Sequence, residues 1–240
     1  MLVLRKDSRR GPTWPDYFAD RAGVIQDPLL AGYFAAGCPA PETPIAEVPL
    51  VALDIETTGL DPRRAAIVSI GLVPFTLARI RLAERRYWVL KPVRELTEQS
   101  VTMHHITHSE VANAPDLAVI LPELFEALAG RLAVVHYRHI ERPFLDGAIK
   151  ARLGEGMRFP VIDTMSLEAR IHRQSLWARF RRWAGRPPVS IRLHNSRLRY
   201  GLPAYQGHHA LIDALGTAEL LQAQIATRYR PETPVGQLWS

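Results

Sequence analysis

The chain has 240 residues, 47% of them hydrophobic and 22% charged, which suits a folded core in one large domain. A formal charge of +6 favours an anionic partner such as nucleic acid. Cys38 is the only cysteine, which excludes an intrachain disulfide. No apolar run has the length of a signal peptide or a membrane span, so a soluble, cytoplasmic protein with no membrane partner is expected.

Residues 1–47 read as an N-terminal extension. Tyr17, Phe18, Ala22 and Ile25 fall at helical spacing after Pro15, and a second helix is expected near 29–34. Pro39, Pro41 and Pro44 then make a stiff linker. From Val48 the pattern turns to strands, expected at 49–55, 65–73 and 85–90, followed by an amphipathic helix at 117–128 and a strand at 132–136. Pro143 marks the first turn of a helix running to 153. A fifth strand is expected at 159–163 and a final helix at 209–228. Three strands in a row, then strands alternating with helices, indicate an α/β fold with a mixed sheet covered by helices. Residues 229–240 lack any helical or strand period and read as a tail. Its Gln237-Leu238-Trp239 is either a docking peptide for a sliding clamp or part of an ordinary disordered tail, the latter being expected.

Asp54 and Glu56 stand two apart at the end of an apolar strand, so their side chains leave one face, about 7 Å apart along the backbone. Like charges that close repel unless a cation sits between them, and Mg²⁺ prefers carboxylate oxygens. Two ions about 4 Å apart can clamp the attacking and leaving oxygens of a phosphodiester. For a bare Asp-x-Glu, a solvated pair of acids is the commoner alternative.

The longer string Asp54-Ile55-Glu56-Thr57-Thr58-Gly59 resembles the first motif of the DnaQ-like exonucleases, the DEDDh group, which includes the proofreading epsilon subunit of bacterial DNA polymerase III. His208-His209-Ala210-Leu211-Ile212-Asp213 resembles that group's third motif, a His, four residues and an Asp. The resemblance covers residues 48–228 and implies a ribonuclease H-like fold, a five-stranded mixed sheet flanked by helices. It also implies a metal-dependent 3′→5′ exonuclease with two Mg²⁺ or Mn²⁺ ions on Asp54, Glu56 and Asp213, and His208 as general base. Imidazole exchanges protons near working pH, and general-base catalysis contributes about 10² to 10⁴-fold. Five residues along a helix turn about 500°, so His208 and Asp213 cannot share a helical face. His208 is therefore expected in the loop before the last helix, Asp213 in its first turns, and His209 as a neighbour.

The second motif departs from the family. Aligning on His136 and on Phe144-Leu145 puts Glu141 where Asp is usual, Tyr137 at the usual Asn and Ile140 at the usual aromatic. Glu141 is the expected fourth metal-site acid. It could instead merely complement a helix N-terminus, with Asp146 as the weaker alternative acid. By the same resemblance, Thr57, Thr58, Leu60, His104 and Ile140 lie against the terminal nucleotide. His104, His105 and His108 also invite a metal reading, but no fourth ligand follows at zinc spacing.

Between Ala169 and Ile212 there are nine Arg and no Asp or Glu, with Trp177, Phe180, Trp183 and Tyr200 interleaved. Arg pairs phosphates and aromatic rings stack on bases, so this stretch is a candidate groove wall. Arg is also the general basic residue of the chain, in which only Lys6, Lys91 and Lys150 are lysines, so codon bias is the competing explanation. The expected substrate is single-stranded DNA or another nucleic-acid 3′ end, with a DNA polymerase or clamp as a possible partner. The alternatives are a 3′→5′ exoribonuclease, or a non-catalytic nucleic-acid-binding protein of the same fold.

Overall fold

A computed structural model describes residues 13–93, 108–176, 180 and 183–240. Five strands form one mixed sheet in the order β3-β2-β1-β4-β5. They are β1 (Leu50–Thr57), β2 (Ile67–Phe75), β3 (Arg86–Val89), β4 (Leu132–Val135) and β5 (Val161–Asp163). The three hairpin-connected strands pair antiparallel, whereas β4 lies parallel to β1 and β5 parallel to β4. Seven helices matter to the site: α1 (Trp14–Val24), α2 (Pro28–Ala35), α3 (Leu117–Leu128), α4 (Arg138–Leu153), α5 (Thr164–His172), α6 (Leu193–Arg199) and α7 (Ala210–Arg228).

Strand alternation sorts the sheet into two apolar faces. Val51, Leu53 and Ile55 of β1 join Ile70 and Leu72 in a core shared with Phe18, Leu30, Phe34, Leu121, Leu124 and Leu145 from helices α1 to α4. Leu50 and Ala52 face the other way, into a core with Ala214, Ala218, Leu221 and Ile225 of α7. Asp54 and Glu56 continue this second row, so the acids emerge where α7 crosses the sheet. They lie within β1, which runs two residues beyond its expected end, and the β1–β2 register shifts immediately after Glu56. The extra residue is Val68 of β2, so the ladder is interrupted beside the acids.

Gly71 fixes how closely α7 approaches. It pairs with Asp54 across the β1–β2 ladder. A Cβ there would stand 2.4 Å from the carbonyl carbon and oxygen of Ala210 and from the Leu211 nitrogen. Backbone cannot yield to that contact as a side chain could, so Gly71 is what lets the N-terminus of α7 rest on the sheet. Gly71→Ala is expected to lower stability by about 1–3 kcal/mol through overpacking. Urea unfolding would show this as a lower midpoint with an unchanged slope.

Helix α4 begins five residues before Pro143, which therefore lies in its second turn and not its first. Its start is capped by a distant residue: Asp163 accepts from the backbone N–H groups of Tyr137, at 3.1 Å, and Arg138, at 3.4 Å. Tyr137 turns the chain at φ 108, a left-handed conformation that Asn tolerates and a bulky side chain seldom adopts.

The terminal segments pack on the same body. Phe18, Leu30, Tyr33 and Phe34 are buried with the sheet and α3. The tail, expected to be disordered or a docking peptide, is ordered instead. Leu238 is 2% exposed, Trp239 bridges Ile162, and Ser240 exchanges two backbone hydrogen bonds with Val161. Thr43 and Ile45 of the proline linker pair with Val235 and Thr233. Arg142 of α4 ties both ends together, donating to the Phe159 and Ser240 carbonyls while lying 5.4 Å from the Trp14 ring. Apolar burial and edge pairing thus take up the residues that a docking peptide would have to present. Among the described residues no helix is long and apolar enough to cross a membrane.

Candidate active site

Asp54 and Glu56 from β1 meet Asp213 from α7, with a carboxylate oxygen of each lying within 4.8 Å of the others. Asp213 sits one turn into α7, its N–H donating to the His209 carbonyl at 2.9 Å. Its carboxylate is held at both oxygens: Oδ1 accepts from the Tyr205 hydroxyl and Oδ2 from the His208 backbone N–H, each at 2.7 Å.

This crowding is electrostatically unfavourable. Burial, followed by the charges of Asp213, Glu56 and Glu141, pushes the Asp54 carboxyl well above the usual carboxylate range. Asp213 is also raised by burial, although the Tyr205 and His208 hydrogen bonds oppose the shift. An all-oxygen donor set under this repulsion fits a hard divalent cation, which would let the acids ionise together.

Glu141 is not among the three clustered acids, but its charge reaches Asp54. It lies in the first turn of α4, only 3% exposed, and its buried Oε2 has no hydrogen-bond partner among the described residues. Burial pushes its carboxyl well above the ordinary range, with Asp163 adding to the shift. The first-turn position of Glu141 also meets the alternative expectation of an acid beside a helix N-terminus. Asp146 points elsewhere, its Oδ1 occupying the space beside Gly156.

The two histidines differ. His208 is exposed and takes a left-handed φ of 69° just before α7. His209 is the N-cap residue, and its ring stacks on Tyr87 of β3 with centroids 4.5 Å apart. Thr57 Oγ1 donates to the Gly59 carbonyl and Thr58 Oγ1 accepts from the Ala66 N–H, so both hydroxyls shape the turn after β1. Leu60 stands 82% exposed beyond it. Ile140 packs against the helical core. His104 and His105 lie outside the described residues.

The Arg-rich stretch divides. Arg170, Arg173 and Arg199 donate to the carbonyls of Gln237, Val189 and Ser190. Arg197 is buried, and Arg199 and the Tyr200 hydroxyl both reach the buried Glu168. Phe180 and Trp183 are exposed with rings 5.9 Å apart. Trp177, Arg179, Arg181 and Arg182 lie outside the described residues. Sequence reasoning missed Tyr87, Asp163, Arg197 and Tyr205, none of which belongs to a recognisable motif.

The sheet order, with acids on the central strand and on a helix crossing it, is that of the ribonuclease H-like nuclease fold. The chain belongs to the exonuclease family, whose model, described as Exonuclease (RNase_T), matches residues 51–221. A DNA polymerase III PolC-type protein of Thermotoga petrophila is 29% identical over 170 residues, 71% of this chain and 11% of that protein. A DNA polymerase III subunit epsilon-like protein of Rhodobacter capsulatus is 30% identical over 220 residues, 91% of this chain and 29% of that protein. The chain thus spans less than a third of the length of each of these relatives. The fold is shared with the nuclease domain of 3′hExo, a DEDDh family member bound to rAMP. That match has a TM-score of 0.59 at 13% identity and covers 75% of this chain and 92% of the other. Exonuclease X in complex with 5′ overhanging duplex DNA gives 0.55 at 23% identity, covering 77% and 96%.

Proposed function

We propose that this chain is a metal-dependent exonuclease that hydrolyses phosphodiester bonds from the 3′ end of DNA and releases nucleoside monophosphates. The convergence of Asp54, Glu56 and Asp213 carries this reading. With Glu141, these residues would hold two Mg²⁺ or Mn²⁺ ions, which when bound supply electrostatic stabilisation of the attacking and leaving oxygens. His208, exposed at the lip of the acid cluster and tethered to Asp213 through its backbone, accepts the proton of the attacking water. Leu60, the backbone at Thr57 and Thr58, and Ile140 bound the terminal nucleotide. The clustering of Asp54, Glu56 and Asp213 disfavours a binding protein that has lost catalysis, a reading supported only by Glu141 in place of the family's usual Asp.

Relatives named as polymerase III proteins support DNA as substrate and a polymerase as partner. A structural neighbour bound to rAMP supports the second reading, an exoribonuclease. A time course on 5′-labelled single-stranded DNA, recessed duplex and RNA, with Mg²⁺, Mn²⁺ or EDTA, tests both. Shortening from the 3′ end, abolished by EDTA and faster on DNA, is expected. Endonucleolytic fragments, or cleavage indifferent to EDTA, would rule the proposal out.

Glu141→Gln keeps the size of the side chain and removes its charge. The turnover number is expected to fall more than tenfold, about 1.4 kcal/mol of transition-state stabilisation. Glu141→Asp withdraws the carboxylate by one methylene and should retain partial activity with a raised metal requirement. Full activity in Glu141→Gln would leave Glu141 a structural acid only.

A further inference from the structure

Among side chains outside the motifs, Tyr205 constrains the acid cluster most directly. Its hydroxyl donates to Asp213 Oδ1 while the His208 N–H donates to Oδ2. A carboxylate has about four lone-pair positions, so one remains on each oxygen for a cation. Gripped at both oxygens, Asp213 cannot rotate its carboxylate without breaking a contact.

The Tyr205 ring is itself held. The Arg197 guanidinium carbon lies 4.6 Å from the ring centroid. Arg197 is 3% exposed, donates to the carbonyls of Gly216 at 2.9 Å and Pro203 at 3.0 Å, and pairs with Glu219. It therefore anchors both the loop that carries Tyr205 and the helix that carries Asp213. On the helix side the ring lies over Gly216, where a Cβ would meet Tyr205 Cζ and Oη at 3.1 Å. Gly216 follows Asp213 by three residues, on the same face of α7. Its missing side chain leaves the slot through which the hydroxyl reaches Asp213.

We propose that Tyr205 is a positioning residue for Asp213: it locks the carboxylate for the metal ion and, through the His208 N–H on the other oxygen, ties down the loop that presents His208. Arg197 and Gly216 hold Tyr205 in register. The proposal rests on the reading of Asp213 as a metal ligand. Hydrogen-bond partners of ligating side chains typically contribute about 10- to 100-fold to metal affinity or activity.

The test is Mn²⁺ binding to the whole chain by isothermal titration calorimetry without substrate, alongside the metal dependence of cleavage. Tyr205→Phe keeps the ring between Arg197 and Gly216, so its thermal unfolding in EDTA should match the parent. Its Mn²⁺ affinity is expected to fall about 10- to 100-fold, and its turnover to recover at saturating Mn²⁺. Gly216→Ala pushes the ring off Asp213 and should weaken Mn²⁺ binding in the same direction, although Ala is the better helix former. Parental Mn²⁺ affinity in Tyr205→Phe overturns the assignment, as does a loss of turnover that saturating Mn²⁺ does not restore. Failure of the parent protein to bind Mn²⁺ would instead remove the metal site itself, and this role with it.

Discussion

Asp54→Asn is expected to be inactive and yet more stable than the parent protein in EDTA at neutral pH. Asp54 is proposed to ligate the metal ions at the centre of the site, and metal-assisted stabilisation amounts to several kcal/mol, so cleavage should fall about 10³-fold or more. The stability change has the opposite sign. In the metal-free fold, burial and the charges of Asp213, Glu56 and Glu141 raise the Asp54 carboxyl well above its ordinary range. A group raised in this way binds its proton more tightly when folded than when unfolded. Its contribution is complete below the unfolded value, about 3.9, and is lost as pH rises through the folded value. Asn carries no charge to bury, so the advantage of the variant in EDTA should be largest near neutral pH and vanish toward about pH 4. Thermal unfolding across that range, with and without Mg²⁺, measures it. Mg²⁺ should stabilise the parent more than the variant. A variant less stable than the parent at neutral pH in EDTA would mean that the acids are not in electrostatic conflict.

For His208→Ala the expected loss is about 10²- to 10⁴-fold in turnover, the range of a general base, with unfolding temperature little changed because the ring is exposed. His209→Ala should show the reverse pattern. Its ring stacks on Tyr87, and losing such a pair costs about 0.5–1.5 kcal/mol of stability. Turnover should fall far less than for His208. Steady-state kinetics and thermal unfolding on the two variants separate a base from a packing residue. A larger catalytic loss in His209→Ala would reassign the base.

The residues behind both expectations are legible in the amino-acid sequence. The string from Asp54 to Gly59 and the His-x4-Asp spacing are local patterns, and local patterns survive folding because strand alternation and helical pitch act on neighbours. The same reason makes α3 begin and end where its apolar period does, at Leu117 and Leu128. Local pattern is silent where a distant residue supplies the decisive partner. Helix α4 starts before Pro143 because its cap is Asp163, which lies beyond its far end in the chain. The tail lacks any period because it is held as a short edge segment against Val161 and Ile162, not by its own amphipathicity. The acid-free stretch looks like one phosphate-binding surface, yet several of its Arg turn instead to Glu168, Glu219 and backbone carbonyls.

By itself, then, the sequence determined the chemistry on offer: three acids and a histidine, placed by short-range spacing on a central strand and at the start of the last helix. Only the tertiary structure decided how those groups meet. Gly71 allows backbone-to-backbone contact that brings Asp213 onto the sheet, Tyr205 orients it from the segment before α7 with Arg197 of α6 against the ring, and α4 buries Glu141 within reach of the Asp54 charge. The physical reason is that packing distance and carboxylate orientation depend on contacts between segments far apart in the chain, which no local pattern records.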